Sequence, residues 1–285
     1  MIFDVPVTGP YAEGAFLVVE REMQRANLIS MFIKNFRFYD FEGKKCVVQI
    51  FNNMLKRSIG VPSITVKYIC KKPKILLRLM AGYENEENAH DCHSMLSECT
   101  RYQQLAKKML HSEAFFNLFR YVEVLKCDVS FAAFSMLKQL LTGHKRLCAK
   151  FLEQNYDVMF THYKQLLSSE NYIIRRESVA LLSTLLDDWH NVTIKRKYIS
   201  DPDNLQLIVN MLSEKHRCVP HNVYDVLKLF VTNPDKPRPI IDILVHNREK
   251  LNHYIFQVTT DRPEDAQLVA EKIGLIITIT YLTSD

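Results

Sequence analysis

His90, Cys92, His93 and Cys99 are the residues of this chain whose types best suit a soft metal ion. Structural zinc takes tight Cys or His pairs from two segments. Here the histidines are three apart and the cysteines seven, and helical spacing does not bring all four to one face. Packing and surface roles are the expectation, with no metal and no cofactor. His216 and His221, five apart, lack a further ligand. Asp187-Asp188-Trp189-His190 forms an acidic and aromatic cluster, but adjacent side chains on a helix point in different directions. A helix end with solvated carboxylates is expected there. Trp189 reads equally as an interface anchor or as core. Arg175-Arg176 also has two readings: weak surface pairing with Glu170 or Glu177, or a guanidinium free to clamp a partner's carboxylates. The chain lacks a Gly-rich phosphate loop, a nucleophile elbow and kinase signatures. No nucleophile, base and orienter emerge together, so a non-catalytic protein is expected.

The element that must position these residues is the stretch 170–186. Its apolar residues Val179, Leu182, Leu185 and Leu186 are spaced three and four apart, one face of an amphipathic helix. Such a helix needs a neighbour to bury its stripe, and the chain supplies neighbours by repeating itself. Ala133, Leu137, Leu140 and Leu141 carry nearly the same pattern earlier, and Val223, Leu227, Phe230 and Val231 later. Weaker copies occur at Ile50-Phe51-Met54-Leu55 and at Met95-Leu96-Cys99. Recurrence at about 40–47 residues is the period of HEAT and armadillo units. The expected fold is all-α, a right-handed α-solenoid of armadillo/HEAT-like repeats. Phe51, Leu96, Leu137, Leu182 and Leu227 are then equivalent buried positions.

Composition agrees. Hydrophobic residues make up 47% of the 285, enough for a continuous core, and only seven glycines occur. The net charge of +5 is spread over short basic runs, which read as solvated faces and not as a nucleic-acid surface. Seven cysteines without tight pairing fit reduced thiols in the cytoplasm. A signal peptide is not expected, and no apolar run reaches the roughly 18 residues of a membrane span.

In order, residues 1–12 read as an N-terminal loop and 13–285 as a single armadillo-like repeat domain. Helical patterning runs from Glu13 through Phe36, and Asp40-Phe41-Glu42-Gly43 caps a helix at 44–57. Gly60, Pro62 and Ser63 separate it from the next helix, and Lys71-Lys72-Pro73 break the chain again before 75–81. Helices follow at 85–102, at 113–122 and from 129 to 167 around a Gly143 break. Asp201-Pro202-Asp203 opens another, with Pro202 in its first turn. Pro220 is expected to shorten or kink a middle helix, and the Pro-rich segment 233–239 to be a loop within a repeat. A last helix from Glu264 caps the stack, its β-branched end at 273–280 docked or frayed.

The segments Asp40-Phe41-Glu42-Gly43-Lys44-Lys45, Gln49-Ile50-Phe51-Asn52-Asn53, Phe119-Arg120-Tyr121-Val122-Glu123, Phe151-Leu152-Glu153-Gln154 and Ser169-Glu170-Asn171-Tyr172 carry a resemblance. It continues through Lys197-Tyr198-Ile199-Ser200 and Asp242-Ile243-Leu244 and covers roughly residues 15 to 270. The chain resembles the mouse protein twenty-five family, also called calcium-binding protein thirty-nine, as a diverged member. The resemblance implies a non-catalytic, monomeric, cytoplasmic scaffold without nucleic-acid or membrane binding. Family members bind a STE20-related pseudokinase in the liver tumour-suppressor kinase complex and activate germinal-centre kinases, holding the kinase fold active on a concave face. The calcium loop suggested by the family's name is missing here. The alternative is an armadillo-like interaction module with a different partner and no kinase activation.

Carried over by position, the family's concave-face arginine falls on Arg176, and Tyr172 also matches. Its aromatic contact positions fall on Cys127 and Val192, and the lysine and methionine of its peptide pocket on Gln206 and Val209. Relative to typical members the chain starts about a repeat late, and Ile276-Ile277-Thr278 replaces a basic end. Glutamine lacks the charge that would meet an acidic peptide, and valine offers less contact area than methionine. A peptide ending in Trp-Glu-Phe should therefore bind weakly, and titration should give an affinity poorer than low micromolar.

Overall fold

The computed structural model describes residues 10–56, 64–123, 126–212, 221–257 and 266–283. Two compact units are distinguished, Met1–Phe151 and Leu152–Asp285. The first holds α1 (Pro10–Arg25), α2 (Leu28–Lys34), α3 (Phe41–Lys56), α4 (Ile64–Lys71) and α5 (Lys74–Ala81). It continues with α6 (Glu86–Thr100), α7 (Gln103–Leu110), α8 (Ala114–Val122) and α9 (Cys127–Thr142). The unit boundary falls within α10 (Lys145–Gln154). The second unit holds α11 (Tyr156–Leu167), α12 (Tyr172–Asp187), α13 (Val192–Ile199) and α14 (Pro202–Met211). It ends with α15 (His221–Thr232), α16 (Arg238–His246), α17 (Arg248–Gln257) and α18 (Ala266–Thr280). Among the described residues there is no strand, and the fold is an all-α solenoid.

Within the first unit the helices stack in three columns. α1 packs on α4 and α4 on α7; α2 packs on α5 and α5 on α8; α3 packs on α6 and α6 on α9. In the second unit α12 packs on α15 and α15 on α18. The five equivalent positions Phe51, Leu96, Leu137, Leu182 and Leu227 are all buried, one on each of α3, α6, α9, α12 and α15. Stripes that no single repeat can bury are thus buried against the next one.

Polar rungs join successive repeats beside this apolar seam. Asn52 donates to Ser94 Oγ at 3.1 Å, and Ser97 donates to Gln139 Oε1 at 2.9 Å. His144 Nε2 lies 2.8 Å from the Thr100 carbonyl. In the second unit Lys228 Nζ and the Tyr224 hydroxyl both reach the Glu271 carboxylate, at 2.5 and 2.8 Å. At the first layer the buried Glu20 carboxylate accepts from the Thr65 N–H at 3.0 Å and from the Thr65 hydroxyl. A side chain of α1 thereby satisfies an otherwise unpaired donor at the start of α4.

Several helix boundaries differ from those expected, each for a physical reason. The helix runs from Pro10, inside the expected loop; residues 1–9 lie outside the described ones. Patterning over 13–36 suggested one helix, but Asn27 adopts φ 55° and separates α1 from α2. Asparagine tolerates that left-handed conformation, and Tyr68 and Lys72 of the next repeat both donate to its Oδ1. α3 starts three residues before the expected Lys44, with Asp40 Oδ1 accepting from the Gly43 N–H at 2.8 Å. No Gly or Pro marks the start of α7, which the sequence pattern does not separate; Tyr102 breaks the chain there and donates its hydroxyl to the Leu55 carbonyl. The expected signals at Gly60, Pro62, Ser63 and Pro220 lie outside the described residues. α18 is docked through Leu275 and Ile279, while Ile273 and Ile277 face outward.

Gly82 is required by packing. Its backbone is ordinary, but a Cβ there would lie 2.3 Å from Cys92 Sγ and 3.0 Å from Cys92 Cβ. Gly82→Ala should therefore destabilise by about 1–3 kcal/mol as an overpacked site. Chemical unfolding should show Cys92→Ala in the same chain recovering part of that loss, a coupling absent if the contact were relaxed.

Candidate functional site

The expected binding residues Tyr172 and Arg176 lie one turn apart at the head of α12. Asn171 caps that helix, its Oδ1 accepting from the N–H groups of Ile173 and Ile174 at 3.0 and 3.4 Å. Ile174, Ser178, Val179 and Leu182 face inward and are buried. From α11 the buried Tyr163 donates its hydroxyl to the Ser178 carbonyl at 2.8 Å, tying the two helices. The opposite face is left to solvent.

The two arginines divide their roles. Arg175 turns back and donates through Nη1 to the Ser169 carbonyl at 2.8 Å. Arg176 is exposed, and among the described residues no ion pair or hydrogen bond engages its guanidinium. Beside it Tyr172 is 38% exposed, and Ile173 is also outward. The head of α12 thus presents an aromatic, an aliphatic and a free planar cation on a fixed backbone.

At the other end of α12, Trp189 is 71% exposed, which excludes burial in the core. Its indole lies on the His190 ring with centroids 3.7 Å apart. His190 Nδ1 is in turn 2.8 Å from Asp188 Oδ1, and the same oxygen accepts from the His190 N–H at 3.0 Å. Asp188 therefore caps a short 3₁₀ turn at 189–191, whereas solvated carboxylates were expected at both positions. Asp187 alone is exposed. Val192, one turn beyond Trp189, is exposed as well.

The other expected contact residues scatter. Gln206 is exposed on α14 and donates to Asn210 Oδ1 at 2.8 Å. Val209, on the same helix, is 1% exposed, so its side chain belongs to the core and offers nothing to a partner in this structure. Its carbonyl accepts from Lys250 Nζ at 2.9 Å. Cys127 is exposed at the start of α9, in the first unit. Sequence reasoning missed Ile173, although the helical phase set by Leu182 already places it outward.

The metal candidates do not assemble, and among the described residues no three His, Cys, Asp or Glu side chains gather as ligands. Cys99 is fully buried, and burial pushes the Cys92 thiol up to about 12, with Asp91 adding to it. His93 Nδ1 lies 3.0 Å from the Tyr83 hydroxyl, and burial, then His90, lowers its pKa. His90 faces solvent, whereas His216 lies outside the described residues. No described helix is long and apolar enough to cross a membrane.

The helices stacked within each unit place the chain in the class of all-α solenoids. The crystal structure of an engineered protein matches 88% of it, and 96% of that chain, at TM-score 0.52 and 14% identity, a likeness of fold alone. The Mo25-like family model matches residues 9–283. Calcium-binding protein 39-like from Mus musculus is 44% identical over 256 residues, 90% of this chain and 76% of that relative. MO25-like protein 2 of Caenorhabditis elegans is 43% identical over 262 residues, covering 92% and 78%. The chain belongs to the Mo25-like family.

Proposed function

We propose that this chain is a non-catalytic scaffold that binds STE20-related kinases or pseudokinases and stabilises their active conformation. Family membership supports the reading, and the observation that carries it is the unengaged Arg176 guanidinium beside Tyr172 on the exposed head of α12. Arginine's planar fork holds a carboxylate or backbone carbonyls that lysine holds less well. Trp189, with Val192 a turn beyond it, supplies an aromatic contact of the kind that dominates interfaces. The mechanism is a population shift. A scaffold that prefers the closed kinase conformation favours it by the difference between its affinities for the two states.

Arg176→Ala should weaken binding of a cognate kinase by about 2 kcal/mol or more, the scale of an interface hot spot. Unfolding of the variant should shift by no more than about 0.5 kcal/mol, because the side chain is exposed. Pull-down across a panel of STE20-family kinases and pseudokinases, with unfolding measured on the same samples, checks both. Unchanged binding would remove Arg176 from the interface, and binding without activation would favour a different interaction role.

A further inference from the structure

Within the first unit, a cleft of about 400 Å³ opens where α2, α5 and the start of α6 meet. Three cations line it: Lys34 at the end of α2, Arg37 in the turn that follows, and Arg78 on α5. All three are exposed, and among the described residues none is in an ion pair. Arg37 instead lies 4.6 Å above the Phe38 ring. The carboxylate in the wall is already engaged, since Glu84 receives the Tyr121 hydroxyl at 3.0 Å and Arg120 Nη2 at 3.3 Å. Asn85 is engaged too, its Oδ1 accepting from the Glu87 N–H at 2.9 Å. The exposed acidic residues of the first turn of α6 pair elsewhere, Glu86 with Lys126 and Glu87 with Lys44.

Asn88 completes the lining. It is 6% exposed, and among the described residues its buried Oδ1 has no hydrogen-bond partner. Buried polar atoms normally have one. The cleft therefore combines three cations that attract an anion with a hidden acceptor that needs a donor. A phosphomonoester dianion supplies acceptors only, and a free hydrogen phosphate ion, which does carry a hydroxyl donor, is far smaller than the cleft. A peptide supplies both an acidic side chain and a backbone N–H, and its carbonyl would serve equally if the Asn88 amide were turned over. The volume suits a few residues.

We propose that this cleft binds an anionic peptide segment of a partner protein. Lys34, Arg37 and Arg78 hold the acidic side chain, and the Asn88 amide pairs with the peptide backbone. Fluorescence anisotropy on the full chain would compare short labelled peptides carrying Asp-Glu-Asp, phosphoserine or serine in a glycine context. Inorganic phosphate and vesicles of phosphatidylcholine with phosphatidylserine would serve as competitors. At least one anionic peptide should bind and the serine peptide should not, with affinity falling as salt rises above about 0.1 M. Arg37→Gln with Arg78→Gln should weaken binding at least about tenfold at an unchanged melting temperature, as for lost charge-assisted hydrogen bonds. In the unaltered chain the Asn88 side-chain amide resonances should shift on adding the peptide. Preference for the phosphoserine or the Asp-Glu-Asp peptide tells which acid the cleft takes. The proposal is overturned if neither anionic peptide binds, or if the double variant binds equally. It is also overturned if the Asn88 resonances stay fixed, or if phosphate or vesicles displace the peptide at its own concentration.

Discussion

Burial of the third-helix stripe against its counterpart in the next repeat is the interaction on which the structure depends. Phe51, Leu96 and Leu137 sit in one such column, and Leu182 and Leu227 in another. A helix of about 16 residues is marginal alone in water, so each layer exists because its neighbour covers it. The polar rungs add register. Asn52 with Ser94 and Ser97 with Gln139 pair only when successive layers are aligned, which an apolar seam by itself does not enforce.

That dependence shapes what the surface can do. In a stack of this kind stability is a sum of nearest-neighbour terms, so outward residues can vary while the inward stripe is kept. α12 shows the division within a few residues. Ile174 and Ser178 are buried and Arg175 is tied to Ser169, so Tyr172, Ile173 and Arg176 are displayed on a backbone already fixed by the Asn171 cap and Tyr163. A partner that docks there finds little left to order, and less is lost on binding. The cleft lined by Lys34, Arg37 and Arg78 follows the same logic with different chemistry.

The repeat was legible because a stripe spaced three and four apart, recurring about every 45 residues, has few other solutions. Breaks written in local chemistry were legible too: Pro73, Asp201-Pro202 and the Pro-rich segment after Asn233 all separate helices, although α16 takes Arg238 and Pro239 from the expected loop, Pro239 in the first turn that proline tolerates. Breaks imposed from outside were not. Asn27 and Tyr102 interrupt helical patterns while bonded to residues one repeat away, and those bonds have no signature in the adjoining sequence. The site divides likewise. Arg176 lies off the apolar stripe by helical phase, whereas the burial of Val209 is fixed by neighbouring helices. The cleft draws its cations from separate segments and could not be assembled from spacing.

The central claim is that a column of buried stripes displays the exposed ends of α12 to a partner kinase. Hydroxyl-radical footprinting tests this most directly, because exposed aromatic side chains are oxidised readily and Trp189 is the only tryptophan in the chain. In the free protein Trp189 and Tyr172 should both be modified, as their exposure of 71% and 38% requires. Adding a bound STE20-related kinase should sharply reduce modification of both, while buried Tyr163 and Tyr198 stay unmodified throughout. Undiminished oxidation of Trp189 and Tyr172 in a saturated complex would contradict the account.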